Sequence, residues 1–176
     1  MIQRYRVAPL DRAALIRTSC TLAALLGLLV LVYMIHQLAP PIMLLDAPLV
    51  ILPALAYAGT PEGYAVDAHA LYIERRAMRT LRVPLERLKA IHPLPRPAVD
   101  GALRLFGTGG LFGWAGRYRF RGLGSVSMHA TNLDRLLVIE RRRGRPLLIS
   151  PLDPDAFLNG VRRQFETIEG SARHRS

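Results

Sequence analysis

Two rhythms of hydrophobic and polar positions divide the chain near residue 59. Before it, apolar residues run almost unbroken: Thr18 to Leu38 carries no acidic or basic side chain except His36. As a helix those residues rise about 31 Å, the depth of a hydrocarbon core of roughly 30 Å, so the pattern predicts a membrane span over 18–38. A cleaved secretory signal is the rival, but its apolar region is about 7–15 residues long and ends at a small-x-small site. This run is longer and no good site of that kind follows it. The next apolar run, 41–58, is interrupted by Asp46, Pro48 and Pro53. At about 27 Å it barely crosses, and its prolines predict a kinked span in preference to a re-entrant one. Asp46 is expected at headgroup level. The expectation is a two-helix transmembrane hairpin over 18–58, turned tightly around Leu38–Pro41.

After residue 59 the period shortens to two. Tyr64-Ala65-Val66 and Ala70-Leu71-Tyr72-Ile73 flank Asp67-Ala68-His69, which predicts a hairpin. Leu81-Arg82-Val83 alternates up to Pro84, and Leu85, Leu88 and Ile91 suit a helical turn or a bent strand. Residues 91–99 hold Pro93, Pro95 and Pro97 and are expected to be a connection that joins no central strand. Leu103–Phe106 is a further strand candidate. Arg117-Tyr118-Arg119-Phe120-Arg121 sets arginines on one face and aromatics on the other, and Val126, Met128 and Ala130 alternate with Ser127 and His129. Leu136–Ile139 and Leu147–Ile149 are apolar strands joined by the basic tip Arg141-Arg142-Arg143-Gly144-Arg145. Asp153 and Pro154 open a helix, as cap and first residue. Phe157, Val161, Phe165 and Ile168 share one face of it. About seven strands and one closing helix predict an α+β domain over 59–169, a curved sheet or partial barrel, with a frayed tail over 170–176.

Charge sharpens this division. The chain carries 24 basic and 13 acidic side chains, of which 20 and 11 follow residue 58. Arg4, Arg6, Arg12 and Arg17 precede the first apolar run, and Arg75, Arg76, Arg79 and Arg82 follow the second. Positive charge stays cytoplasmic, so both termini are expected inside, with 1–17 a basic cytoplasmic segment. The net charge of +11 favours polyanions, here anionic lipid or nucleic acid. Cys20 is the lone cysteine, so no intrachain disulfide forms.

A set of residues in order carries a resemblance. Phe106-Gly107-Thr108-Gly109-Gly110-Leu111-Phe112-Gly113, then Gly116-Arg117-Tyr118, Leu123-Gly124, Ala130-Thr131, and Ser150-Pro151 with Asp153-Pro154-Phe157 resemble membrane-anchored bacterial pleckstrin-homology-like proteins. The resemblance covers about residues 60–168. It implies a seven-stranded pleckstrin-homology-like sheet capped by a C-terminal helix, a bacterial inner-membrane location, and no particular activity. Phosphoinositide-binding pleckstrin domains place basic residues around their first hairpin. Here that turn is Val66-Asp67-Ala68-His69-Ala70, which argues against a phosphoinositide pocket.

Chemical motifs are sparse. Seven glycines fall between Gly107 and Gly124, but neither the dinucleotide fingerprint nor a P-loop is completed. They are expected to serve turns and bulges. No G-x-S-x-G sequence occurs, and the five histidines are scattered without metal-ligand spacing. No cofactor, metal, catalytic residue or small-molecule substrate is expected. The expected function is a non-catalytic, membrane-anchored interaction module that binds a protein partner or the anionic membrane surface. Arg141, Arg142, Arg143 and Arg145 are its candidate contacts with anionic lipid headgroups. A membrane-tethered nucleic-acid-binding domain is the alternative, and a lipid-modifying enzyme the third. Leu111, Phe112 and Trp114 are expected in the core in preference to the membrane interface.

Overall fold

The computed structural model describes residues 2–36 and 46–173, with side chains for all of these except 36, 46 and 166–173. The expected turn at Leu38–Pro41 lies outside the described residues, as does the side chain of Ile168.

The first element is one the sequence pattern did not predict. Gln3–Arg6 forms strand β1, which pairs antiparallel with β2 (Pro61–Val66), Gln3 opposite Val66 and Arg6 opposite Gly63. Residues 3–6 are thus an edge of the domain's own sheet as well as a basic segment. The chain continues along the domain: Val7 bridges Pro151, and the Ala8 N–H donates to the Ser150 carbonyl at 2.9 Å.

Helix α1 then runs from Arg12 to His36, starting six residues before the expected span. It starts there because Asp11 caps it: Asp11 Oδ1 accepts the Ala14 N–H at 2.6 Å, satisfying one of the donors a helix leaves free at its first turn. Of the described helices, α1 alone is long and apolar enough to cross a bilayer, and Leu22, Leu26, Val30 and Leu31 are exposed along it. Helix α2, Asp46–Ala58, has 13 residues and contains Pro53. At about 20 Å it is short of a hydrocarbon core, so the described residues contain one span-length helix and a shorter apolar one, and residues 41–45 of the expected second span lie outside the described residues.

Strands β2, β3 (Ala70–Arg75) and β4 (Leu81–Pro84) extend β1 into a four-stranded antiparallel sheet in order β1-β2-β3-β4. The turn after β2 is the expected one. Asp67 Oδ1 accepts the N–H groups of His69 and Ala70, each at 2.7 Å, and the Tyr72 hydroxyl donates to Oδ2. Burial pushes this carboxyl's pKa up, but those three bonds outweigh it and leave the group below its ordinary value.

A short 3₁₀ turn at Leu85–Arg87 carries the chain into the second sheet. That sheet comprises β5 (Leu88–Leu94), β6 (Leu103–Gly107), β7 (Trp114–Phe120), β8 (Gly124–Ala130), β9 (Leu136–Arg141) and β10 (Leu147–Ile149), in order β5-β9-β10-β8-β7-β6. Two expectations change here. The described residues form ten strands in sheets of four and six, where seven in one sheet were expected. Residues 88–94, read in part as a connection, form a strand in spite of Pro93. The edge position explains it, because only there can a strand lack an N–H without breaking a ladder.

The six-stranded sheet is buried on both faces near its centre, which accounts for the unbroken apolar runs of β9 and β10. Leu137, Ile139, Leu147 and Ile149 face the first sheet's Tyr64, Val66, Leu71 and Ile73, and helix α3 (Pro154–Arg173) closes that layer with Phe157 and Val161. Leu136, Val138 and Leu148 face the opposite way. There Trp114, Tyr118, Phe120, Val126 and Met128 form a second core that takes in Ala14 of α1. The period-2 reading of β7 and β8 holds: the aromatics are buried and Arg117 and Arg119 are exposed. Asp153 caps α3 as expected, accepting the Ala156 N–H at 2.9 Å. The helix runs to Arg173, three residues past the start of the tail expected at 170.

Candidate functional site

Strands β1 and β2 lie side by side, yet residues 7–60 separate them in sequence. The two apolar helices are therefore an excursion from between neighbouring strands, and both of their roots meet the domain at one loop. That loop, 108–113, is the glycine-rich segment.

The root of α1 is held by polar bonds in a buried setting. Asp11 is 3% exposed, and besides capping the helix its Oδ2 accepts the indole N–H of Trp114 at 3.2 Å and the Leu133 N–H at 2.9 Å. Two turns later Thr18 Oγ1 donates to the Gly110 carbonyl at 3.2 Å and accepts the Phe112 N–H at 2.9 Å. Arg17 donates to the Gly109 carbonyl at 3.0 Å and lies over the Trp114 ring at 5.0 Å. The root of α2 reaches the same loop through Tyr57, whose ring meets Phe112 edge-on at 5.2 Å and whose hydroxyl accepts from Arg76 at 2.7 Å. Phe112, between the roots, sits at φ +57°, a region that bulky residues rarely adopt.

The family-like residues sort by this geometry. Gly107 and Gly116 face each other across the β6–β7 ladder at φ +122° and +132°. A Cβ on Gly116 would lie 2.2 Å from the Phe106 carbonyl oxygen, so the hairpin closes only around glycine. Gly110 packs on Trp114 and Arg17, and Gly113 on Thr131. Gly109 offers its carbonyl to Arg17. Gly124 turns the chain into β8, remote from the anchor. Thr131 is buried, with its hydroxyl bonded to the Ala8 carbonyl and its N–H donating to Ser150 Oγ at 2.8 Å, which knots the N-terminal segment to β8 and β10. Pro154 begins α3 and Phe157 is fully buried. Phe106 alone stands outside any packing role: at 78% it is the most exposed large apolar side chain among the described residues. Trp114 is in the core as expected, whereas Leu111 and Phe112 are half-buried beside the helix roots.

The basic tip occupies the other end of the six-stranded sheet. The Arg142 N–H donates to the Arg87 carbonyl and the Ser127 N–H to the Pro146 carbonyl, whereas the root of α1 bonds to Leu133 and Trp114 at the opposite strand ends. Arg142, Arg143 and Arg145 are exposed, and Arg141 is half-buried with its Nε donating to the Arg145 carbonyl at 2.6 Å. Burial first, then the adjacent Arg145 and Arg87 charges, hold the Arg141 pKa below its ordinary value. Among the described residues no carboxylate pairs with any of these four arginines; the nearby Glu140 pairs with Lys89 at 3.1 Å.

A cleft of about 250 Å³ at the root of α1 is lined by Arg17, Arg96, Asp100, Trp114, Tyr118 and Phe120 among others, with no histidine, serine or cysteine. Among the described residues no group of His, Cys, Asp and Glu is placed to hold a metal. His129 has a buried Nδ1 without a hydrogen-bond partner, and burial, aided by Arg75 and Arg141, pushes its pKa down to about 4, so the ring is neutral at ordinary pH. Tyr118 and Phe120 are buried behind Arg117 and Arg119, so these two rings are closed to base stacking.

Sequence reasoning missed Asp11 and Thr18. A usable signal existed for the first: Asp11 is the only acidic residue before Asp46, and it stands where a helix cap belongs, immediately ahead of the apolar run. Nothing in sequence marks Thr18 as the partner of a loop more than ninety residues away.

No curated protein and no solved structure matches this chain. A family model described as bacterial PH domain matches residues 62–165, from the second strand of the first sheet through most of α3. More than half the chain is covered, and the two sheets closed by a C-terminal helix agree with it: the chain belongs to the bacterial PH domain family.

Proposed function

We propose that this chain is a non-catalytic interaction module whose PH domain is fixed to a bacterial inner membrane by α1 and α2, with the domain and both termini on the cytoplasmic side. The observation that carries the proposal is the shared root. Thr18 and Tyr57 both touch Phe112, so chain leaving through α1 returns to the face it left. If α1 crosses the bilayer, residues 37–58 must bring the chain back, and a single net crossing would pull one root off the domain. The arginines flanking both roots, Arg12 and Arg17 before and Arg75 and Arg76 after, favour the cytoplasm for that face. A periplasm-only reporter fused after residue 40 is expected to be active and one fused after residue 170 inactive. Activity at both positions, or at neither, overturns this arrangement.

The partner we propose is an acidic protein surface, read by Arg141, Arg142, Arg143 and Arg145. Their guanidinium charges are unneutralised by carboxylates, and those of Arg142, Arg143 and Arg145 are exposed at a tight turn, which suits recognition of a negative patch. They lie one strand length from the anchor root, about 17 Å along β9, beyond the Debye length of about 8 Å at physiological salt. That separation favours a protein over the module's own lipid headgroups. A photo-crosslinking residue at position 143 in living cells is expected to give a protein adduct, with the yield falling several-fold when Arg141, Arg142 and Arg145 become Gln. Adducts with lipid alone would return the tip to the headgroup reading.

A further inference from the structure

The β6–β7 hairpin carries an apolar ridge that nothing in the fold uses. Every residue of β6 is exposed, and Leu103, Leu105 and Phe106 are 61%, 48% and 78% accessible. The ladder explains how they come to share a surface with arginines. Leu103 pairs with Arg119, and after a register shift at Leu105, Phe106 pairs with Arg117. Directly paired residues point to the same side of a sheet. The bulge therefore sets Phe106 back on the face of Leu103, Arg117 and Arg119, the face opposite buried Tyr118. Without it Phe106 would turn toward the core. Residues 101–133 contain four arginines and no Asp or Glu, so this hairpin carries cations and no carboxylate.

Its position supplies the occupant. Phe106 directly precedes Gly107, and the loop that follows is bonded to Thr18 and packed on Tyr57, where α1 and α2 leave the domain. Beyond Thr18 the described side chains of α1 are almost all exposed, so the loop marks the level at which protein ends and the proposed bilayer begins. We infer that the loop end of the β6–β7 hairpin, led by Phe106, is a second membrane contact seated at the headgroup–acyl boundary of an anionic leaflet. This rests on the membrane reading of α1. Phe106 enters the boundary where aromatic rings are favoured, and Arg117 meets lipid phosphates beside it. A second copy pairing along the free β6 edge is the competing occupant. It would bring Arg104, Arg117 and Arg119 of two copies together with no carboxylate between them, a like-charge contact that edge strands use to prevent pairing.

The test uses the full chain with Cys20→Ser and one new cysteine at a time, Phe106→Cys, Leu28→Cys or Arg143→Cys, each carrying an environment-sensitive fluorophore. The proteins are placed in vesicles of phosphatidylglycerol and phosphatidylcholine, and quenching by bromine-labelled acyl chains is compared with quenching by aqueous iodide. Phe106 is exposed, so its replacement leaves both cores intact. The label at 106 is expected to be quenched several-fold more by bromolipid, and several-fold less by iodide, than the label at 143. Lipid quenching at 28 together with iodide quenching at 106 equal to that at 143 overturns this contact while leaving the anchor standing. A label at 106 shielded from both quenchers assigns the ridge to a second copy and also overturns it. A label at 28 open to iodide removes the membrane reading itself, and this contact with it.

Discussion

Replacing Asp11 with alanine is expected to destabilise the protein by about 3–5 kcal/mol, and to do so at the joint between α1 and the domain. Its carboxylate accepts three N–H groups, from Ala14, Trp114 and Leu133, and all four residues are buried. Each buried donor left without an acceptor costs about 1–3 kcal/mol, and loss of a helix cap about 0.5–2 kcal/mol. Water admitted to the gap recovers part of that sum. Asp11→Asn keeps the capping oxygen but turns an amide toward a donor, so a smaller loss, about 1–2 kcal/mol, is expected. Trp114 is the only tryptophan in the chain, and its emission reports the joint directly. In Asp11→Ala protein in detergent, the emission should move to the red and the unfolding midpoint should fall by about 10 °C. An unchanged midpoint and spectrum would show that the cap carries no part of the joint.

What the sequence made legible follows from how local each signal is. The strands over 117–121, 126–130, 136–139 and 147–149 were readable because each displays its period within a few residues. The cap and stripe of α3 were readable for the same reason. Strand β1 was not, because Gln3-Arg4-Tyr5-Arg6 is short and charged and becomes a strand only through a partner more than fifty residues away. Strand β5 was hidden by Pro93, which excludes a central position but not an edge. The basic tip was legible as a feature while its direction was not. Hairpin residues announce themselves in sequence, but which end of the sheet the anchor takes depends on Asp11 meeting Leu133 and Trp114. The glycines were legible as turns. That their loop receives two helix roots was invisible, since Thr18 and Tyr57 look like ordinary residues of apolar segments.

These long-range bonds alter what counts as the domain. A piece cut at residue 59 would lack β1, the Ala8–Ser150 and Ala8–Thr131 bonds and the Asp11 cluster, so the family-matched region alone carries an open sheet edge and a second core without Leu10 and Ala14. Experiments on stability therefore belong on the full chain. The joint also ties α1 to the fold, because α1 contributes Ala14 to the second core.

Phe157→Ala is expected to cost about 3–5 kcal/mol, the range for a large aromatic removed from a packed core. Its ring is fully buried and meets Tyr5 edge-on at 5.1 Å and Tyr64 at 6.3 Å, so it is the piece of α3 on which both β1 and β2 rest. Aromatic pairs of this geometry contribute about 0.5–1.5 kcal/mol beyond burial, and the Tyr5 contact is the less replaceable. Tyr64 stays fixed by its hydroxyl, which donates to the His129 carbonyl at 2.8 Å and accepts the Ser150 N–H at 3.1 Å. The hydroxyl of Tyr5 bonds only to Gln3 two residues away, with its tip against Gly160. The cavity left by Phe157 should therefore be felt first as release of β1 from the sheet edge, ahead of global unfolding. Trypsin provides the measurement, since Arg4 and Arg6 lie within that strand. In the full-length variant, cleavage after these residues should accelerate at least several-fold relative to cleavage after Arg142 and Arg143, which are exposed in both proteins. Equal acceleration at all sites would indicate uniform loss of stability with no special tie between α3 and β1. Unchanged cleavage and an unchanged melting temperature would mean that α3 does not close this core.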